Sequence, residues 1–347
     1  MTINMKDIAR LSGVGVATVS RVLNNSGYVS ETTRKKVMDI VNEYRYTPNN
    51  AARSLKISST NRVGLLVKGT DNPFFQRMMR EIERGLAMRG YRLLIQDVGG
   101  KNEMEAAIQL VQDNNLCGLI LMGGYFVYSK EDFKRLGAPC VLLTVRAAVD
   151  VDPALYSSVT VDDEQEGFRA VDSLIQMGHT RIGFLYHFAY EENTPNSMRY
   201  RGYLRALQQH GIPFDPNLVA GEDESRAAVF SEGGFRTGFR MAQQLMAKNP
   251  DMTAIFAFSD VLAVGAAKAV LTAGRRIPED LSIIGFDGID AAEFFHPSLD
   301  TVYQPATEMA MSCVSLLSDM VNGQSGRHMI CPCTLLRRGS TQSRDKD

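Results

Sequence analysis

Val14–Asn25 reads VGVATVSRVLNN, and the spacing within it decides how the rest of the chain is read. From Val16 onward, helical periodicity puts Val16, Ala17, Ser20, Arg21 and Asn24 on one face. Val19, Val22 and Leu23 fall on the other. Just ahead, Met5–Ser12 (MKDIARLS) sets Ile8 and Leu11 three residues apart, a spacing that predicts a first helix. Gly13 between the two segments is the turn residue that lets two helices cross steeply. The pattern is that of a helix-turn-helix whose second helix packs through one face and offers the other to a groove. On the offered face, Arg21 carries the two-pronged donor set that suits a guanine edge. Ser20 and Asn24 suit phosphates, and Val16 and Ala17 are small enough for close approach and contact with a thymine methyl.

After a turn at Asn25–Gly27, Ser30 is placed to cap a third helix, SETTRKKVMDIVNEYRY. Glu31 lies in its first turn, and Val37, Ile40, Val41 and Tyr44 form an apolar stripe. Tyr46–Lys56 (YTPNNAARSLK) follows. Taken by itself it is a short basic linker with weak helical character.

Charge is distributed unevenly along the 347 residues. The first 62 hold ten Lys and Arg against four Asp and Glu, a surplus of +6, and the formal net charge of −1 leaves −7 for the remainder. A basic head on an acidic body fits a DNA-binding module joined to a part that does not itself bind DNA. The length is too great for one ordinary core and predicts two or three domains. Five cysteines (Cys117, Cys140, Cys313, Cys331 and Cys333) are an odd count without zinc spacing, so neither a disulfide framework nor a metal site is expected. No secretory leader or membrane-length apolar run is visible, which predicts a soluble, cytoplasmic protein without membrane contact.

From Arg62 the pattern becomes a regular alternation of strand and helix. RVGLLV, YRLLIQDV, CGLILMGG and PCVLLTV alternate with helical segments such as FFQRMMREIERGLAMRG and KNEMEAAIQLVQDN. A second group opens at SSVTVD and runs through RIGFLYH, LVAGED, AIFAFSD and SIIGFDG. Short apolar strands between amphipathic helices imply parallel sheets covered on both faces. There are too many strands for one sheet, so two similar α/β lobes are expected, meeting near residues 150–165.

The string DIARLSGVGVATVSRVLNN…VSETTRKKV…YTPNNAARSL…VGLLV resembles the lactose-repressor (LacI/GalR) family of bacterial transcription regulators. The resemblance continues through MGHTRIGFL, Arg199–Tyr203 (RYRGY), IFAFSDVLAVGAAKAV, IPEDLSIIGFDG and the closing TVYQPATEMA…LLRRGST. It implies an N-terminal all-α helix-turn-helix domain joined to a two-lobed α/β core like that of periplasmic binding proteins, made of two parallel-sheet, Rossmann-like subdomains. The expected divisions are residues 1–46 for the DNA-binding domain, 47–60 for a hinge helix and linker, and 61–341 for an effector-binding and dimerisation core. Within the core, lobe one is expected at about 61–160 plus 290–322, and lobe two at about 161–289 plus 323–341. In the family the hinge helix forms when two copies pair on DNA. The resemblance places Asn49, Ala52, Leu55 and Lys56 among its DNA contacts, with Leu55 as the minor-groove wedge. An apolar wedge beside basic residues is the composition that kinking requires. Gly15 departs from the usual Ser at the start of the reading helix; glycine is a tolerated cap.

In open α/β sheets a ligand sits outside the carboxyl ends of the strands. The family's effector positions fall here on Asn72, Phe74 and Phe75 in lobe one, on Arg199, Ser259, Asp260 and Asp287 in lobe two, and on Gln304 near a crossover. Carboxylates and an Arg fork grip vicinal hydroxyls, and a Phe face stacks on a ring. Asp260 directly precedes a helix and reads equally as its N-cap, and the phenylalanines also read as core, Phe75 more readily than Phe74. Gly288 stands where relatives often have a second Asp. Tyr190, Glu191 and Glu192 in an unusual loop, and Phe230 beyond it, are further candidates for shaping selectivity. The glycine pairs lack phosphate-loop spacing, no serine lies in G-x-S-x-G, and the histidines are scattered, so no catalytic site and no cofactor are expected.

The sequence therefore predicts a regulator, in the family's manner a repressor. It would bind double-stranded DNA at a palindromic operator as a homodimer and respond to a small-molecule effector, a carbohydrate first and a purine or nucleoside second. A regulator answering to a partner protein is the remaining alternative. A periplasmic transport protein would share the core but needs a leader and no DNA-binding head. The chain ends soon after LLRRGST without a leucine-heptad tail, which favours a dimer over a tetramer.

Overall fold

The computed structural model describes residues 5–23, 29–43, 61–98, 102–124, 128–146, 151–186, 194–221 and 234–344. The chain divides into two compact units, Met1–Lys56 and Ile57–Asp347.

Among its described residues the first unit has α1 (Met5–Ser12), α2 (Val16–Leu23) and α3 (Glu31–Glu43). Its small core is Ile8, Ala9, Val19, Val22, Val37 and Val41. Ser30 opens α3 as expected, its hydroxyl accepting from the Thr33 amide at 3.4 Å and its carbonyl from the Arg34 amide at 2.9 Å. The first helix forms as expected, with Ile8 buried and Leu11 45 % exposed. α1 turns residues 8, 9 and 12 inward. Ser12 is fully buried there because its hydroxyl donates to the Ile8 carbonyl at 2.6 Å, which removes the penalty of burying it. Once that face is set, Leu11 is rotated outward.

The second unit contains two six-stranded sheets. The first has the order β11-β5-β4-β3-β1-β2, with β1 Arg62–Val67, β2 Arg92–Asp97, β3 Gly118–Met122, β4 Cys140–Leu143, β5 Ser157–Thr160 and β11 His328–Ile330. All its pairings are parallel. The second has the order β12-β10-β9-β8-β6-β7, with β6 Ile182–Tyr186, β7 Val219–Gly221, β8 Ala254–Ala257, β9 Ser282–Asp287, β10 Asp300–Tyr303 and β12 Thr334–Leu336. Here only β12 runs antiparallel, against β10. Central strands such as β3 and β9 are buried along their whole length, which is why they read as unbroken apolar runs rather than alternations.

Lobe one carries α4 (Pro73–Ala87), α5 (Glu103–Asn114) and α6 (Lys130–Leu136). Lobe two carries α7 (Asp163–Gln176), α8 (Pro195–Gln209), α9 (Phe235–Lys248), α10 (Asp260–Thr272) and α11 (Asp290–Phe294). A last long helix, α12 (Ala306–Val321), packs on α4 and on strands β3, β4 and β5, so the chain has returned to lobe one. The polypeptide crosses between lobes at Val161–Asp162, at Gln304–Pro305 and at Cys331–Cys333.

The second and third crossings lie later than the sequence suggested. Residues 290–303 stay in lobe two, and residues 323–330 stay in lobe one. The polar stretch 322–328 resembles a crossover in composition, yet it is a turn between α12 and β11. The true third crossing, Cys331-Pro332-Cys333, hides in an apolar, strand-like run. The five cysteines are free and buried.

Candidate functional site

The described side chains of α2 divide between an inner and an outer side. Val19 and Val22 are buried, whereas Val16 is 42 % exposed and Arg21 is exposed. Gly13, at φ +66°, makes the turn into α2 in a conformation that favours glycine. The Gly15 carbonyl accepts from the Thr18 and Val19 amides at 2.8 and 3.1 Å, so glycine starts the helix without a side-chain cap. Ala17 and Ser20 lie on α2, but their side chains, together with Asn24, Asn49, Ala52, Leu55 and Lys56, are outside the described residues, as are Tyr44, Tyr190, Glu191, Glu192 and Phe230.

A buried polar cluster in the second unit centres on Arg199, near the start of α8. Thr194 caps that helix through the Ser197 amide, and Pro195 sits at its first turn. α8 lies against α7 because glycines on both helices remove the side chains between them. A Cβ on Gly167 would stand 2.7 Å from the Arg199 carbonyl oxygen, and one on Gly202 would strike the backbone of Glu164, Gly167 and Phe168. This close crossing fixes where Arg199 emerges.

The guanidinium then has a partner on each side. Nε and Nη2 both approach Asp163 Oδ1 at 2.8 Å, and Nη1 donates to the Phe258 carbonyl at 2.7 Å. Asp287 Oδ1 lies 3.7 Å from Nη1. The guanidinium carbon sits 3.5 Å from the Phe286 ring centroid and 4.7 Å from that of Phe258, a cation held between two aromatic rings.

Asp287 ends β9 and has φ +117°, unusual for a residue with a side chain. Gln304 Nε2 donates to its Oδ1 at 2.8 Å, and its carbonyl accepts from the Gln304 amide at 3.2 Å. Burial pushes the carboxyl up to about 8, against the pull of Arg199 and the Gln304 hydrogen bond. Burial also raises Asp163, and there too the Arg199 fork opposes it. Arg199, Asp287 and Gln304 are thus brought together, with Ser259 next to the carbonyl that Arg199 holds.

Two expectations are corrected. Asp260 does not face outward as an effector contact, nor is it the helix cap. It is fully buried, and its Oδ2 accepts from the Gly288 and Ile289 amides at 2.7 and 2.9 Å, while Oδ1 accepts from Thr301 Oγ1 at 2.6 Å. Both oxygens are occupied in pinning the loop after β9, and the cap of α10 is Ser259, whose hydroxyl accepts from the Leu262 amide. Burial raises Asp260 to about 6, opposed by these hydrogen bonds.

Phe74 is buried in the lobe-one core. Phe75 remains half-buried, against the positions that side chains on Gly69 and Gly123 would fill at the ends of β1 and β3. Of the two, Phe75 keeps the open ring. Asn72 caps α4 through Oδ1, which accepts from the Phe74 amide at 2.9 Å.

Three residues that sequence reading passed over belong to this neighbourhood. Asp163 follows β5 in the same strand-then-acid pattern that singled out Asp260 and Asp287, so the signal was present. Thr144, directly after β4, has φ +70°, a strained position for a β-branched residue. Arg146, two residues further, donates from Nε to Thr160 Oγ1 and from Nη2 to the Val161 carbonyl, both at 3.3 Å. A basic residue three positions past a strand carries no periodicity to reveal it.

With the geometry in view, comparisons with known proteins place the chain. Residues 4–49 match the family described as bacterial regulatory proteins, lacI family, and residues 171–341 match the periplasmic binding protein-like domain. The HTH-type transcriptional regulator MalR of Clostridium butyricum is 37 % identical over 347 residues, covering 97 % of this chain and 98 % of its own. The ribose operon repressor of Haemophilus influenzae is 34 % identical over 343 residues, covering 98 % of each. Among solved structures, a transcriptional regulator CelR–cellobiose complex superposes with a TM-score of 0.70 at 26 % identity, covering 97 % of this chain and 99 % of the other. A basic helical head, a two-lobed core and relatives matched along nearly their full lengths agree: the chain belongs to the lacI family of bacterial regulatory proteins and is a DNA-binding transcription regulator, not an enzyme.

Proposed function

We propose that the protein is a repressor whose affinity for a palindromic operator is set by a carbohydrate-type effector held at the strand ends around Arg199. The observation that carries this reading is the cluster of Arg199, Asp163, Asp287 and Gln304, which combines a guanidinium fork, carboxylates and an amide in one buried place. Such a set matches ring hydroxyls, and Phe75 and Phe258 offer apolar faces for a ring. A CelR structure is named as a cellobiose complex, and another LacI-family regulator, from Enterococcus faecium, is described with bound ribose. Those ligands belong to those proteins; here they support the class.

On the DNA side, Val16, Ala17, Ser20, Arg21 and Asn24 would enter the major groove. Asn49, Ala52, Leu55 and Lys56 would form the hinge contacts. Asn72, Phe75, Arg199, Ser259, Asp287 and Gln304 are kept as effector contacts. A regulator that binds operator DNA works where the chromosome is, so the cytoplasm is the expected compartment, and among the described residues no helix is long and apolar enough to cross a membrane.

The palindromic operator calls for two heads, and lobe two has a surface suited to a second copy. Phe235 is 45 % and Phe294 84 % exposed, and Phe235, Phe239, Val264 and Phe295 line a groove of about 650 Å³ together with Arg236, Arg240 and Lys268. Apolar surface of this kind marks an interaction site more often than free surface.

A thermal-shift screen of sugars, sugar phosphates, nucleosides and purines tests the effector reading. A ligand at ~100 times its Kd stabilises by ~2.7 kcal/mol, enough to move the melting point visibly. The reading predicts a sugar-class hit that is lost in Arg199→Ala. A hit retained in that variant would place the ligand elsewhere.

A further inference from the structure

We propose that Arg146 selects an effector bearing an acidic group, a phosphate ester or a carboxylate, on its sugar. This rests on the carbohydrate-effector reading above and narrows it. Arg146 is half-buried beyond the carboxyl end of β4, beside the first crossing between the lobes. Its two hydrogen bonds, to the Thr160 hydroxyl and the Val161 carbonyl, go to neutral acceptors. Among the described residues no carboxylate forms an ion pair with it.

Its neighbours differ in this respect. Arg199 has Asp163 at 2.8 Å, and Arg169 has Glu166 at 2.7 Å. Asp163 is near enough to feel the charge of Arg146, but its Oδ1 is already engaged by two nitrogens of Arg199. Asp287 does not restore the balance, because burial holds its carboxyl high and favours the neutral form. Of Arg146, Arg169 and Arg199, Arg146 is thus the one with no carboxylate among its described hydrogen-bond partners.

A partly desolvated guanidinium gains from an anionic partner far more than from neutral acceptors. With Nε and one Nη2 direction engaged, Nη1 and the remaining donor directions are left for a planar or tetrahedral oxyanion. The competing reading is a brace that only ties β4 to the crossing. A brace needs hydrogen-bond donors and no charge, so a glutamine in its place would still serve it. A selector needs the charge.

Isothermal titration of the full-length protein with glucose 6-phosphate, glucuronate and gluconate, beside glucose and ribose at the same ionic strength, tests this. The inference predicts that at least one acidic probe binds 10-fold or more tighter than the neutral sugars. Arg146→Gln should erase most of that preference while changing neutral-sugar affinity less than twofold, and Arg146→Lys should keep part of it. The choice of acidic probe that binds separates phosphate from carboxylate. Equal or tighter binding of glucose or ribose would overturn the inference, as would an Arg146→Gln loss shared equally by acidic and neutral probes. The effector reading would then still stand if Arg199→Ala abolished the binding. If no probe binds, the inference and the carbohydrate reading fall together. Should Arg146→Gln not fold, the wild-type preference and the lysine variant decide the matter.

Discussion

Asp287 concentrates several costs in one residue. It is buried, it adopts φ +117°, and it shares its Oδ1 between Gln304 and the approach of Arg199. Strain and desolvation of this kind persist where surrounding structure over-determines them, and they gather at functional sites. The carboxyl titrates near 8 when folded and near ~4 when unfolded, so the folded state binds the proton more tightly. Its contribution to stability is therefore full below the unfolded value and is lost as pH rises through the folded one. Asp287→Asn stays neutral throughout and escapes that loss. Thermal or urea unfolding at several pH values should show the variant gaining on the wild type by on the order of 1 kcal/mol per pH unit between about 4 and 8. Parallel profiles would mean that Asp287 is ionised throughout this range.

At the scale of elements, the α7–α8 crossing does the positioning. Gly167 and Gly202 let the two backbones touch, and Arg199 emerges from that contact with Asp163 at the first turn of α7 opposite it. A methyl at Gly202 meets backbone rather than a yielding side chain, so Gly202→Ala has to push the helices apart. Overpacking of this sort costs ~1–3 kcal/mol. Because the displaced helix carries Arg199, effector affinity should fall along with the melting temperature, and titration beside calorimetry would show both. A loss of stability with unchanged affinity would mean that Arg199 is positioned by its own contacts alone.

The elements themselves were legible in the sequence. Strands such as RVGLLV and SIIGFD are apolar runs of strand length bounded by polar residues, and their strand ends mark where ligands sit. What the sequence could not mark was direction and membership. Asp260 and Asp287 are both acids at the carboxyl end of a strand, one opening α10 after β8 and the other ending β9, yet one turns inward onto two amides and a hydroxyl while the other meets Arg199 and Gln304. Phe74 and Phe75 are adjacent, and only helix rotation decides which is core. Ser12 is buried although polar because its hydroxyl donates to the Ile8 carbonyl, a fact that lies in a hydrogen bond and not in hydropathy. The late crossings were misplaced because a four-residue strand such as β10 carries no sign of which sheet it joins.

For the whole molecule, three crossings join lobes that each have their own sheet, and two of them begin or end on residues of the cluster. Gln304 at the second crossing bonds Asp287, and Val161 at the first accepts from Arg146. A ligand that engages Arg199 and Asp287 thus acts on groups tied to the connections between the lobes. It shifts the regulator only to the extent that it binds one arrangement better than the other. As a dimer, the 38.4 kDa chain should sediment at twice its mass, and a stable tetramer or a monomer at micromolar concentration would contradict that assembly. The central claim is that the Arg199 cluster sets operator affinity. The most direct measurement is the Kd for an operator fragment, with and without the sugar-class ligand found in the thermal screen, for the wild type and Arg199→Ala. The account predicts a ~5–150-fold ligand-dependent change in the wild type, and an Arg199→Ala protein that binds the operator yet ignores the ligand. An unchanged wild-type Kd at saturating ligand, or an equal response in the variant, would contradict it.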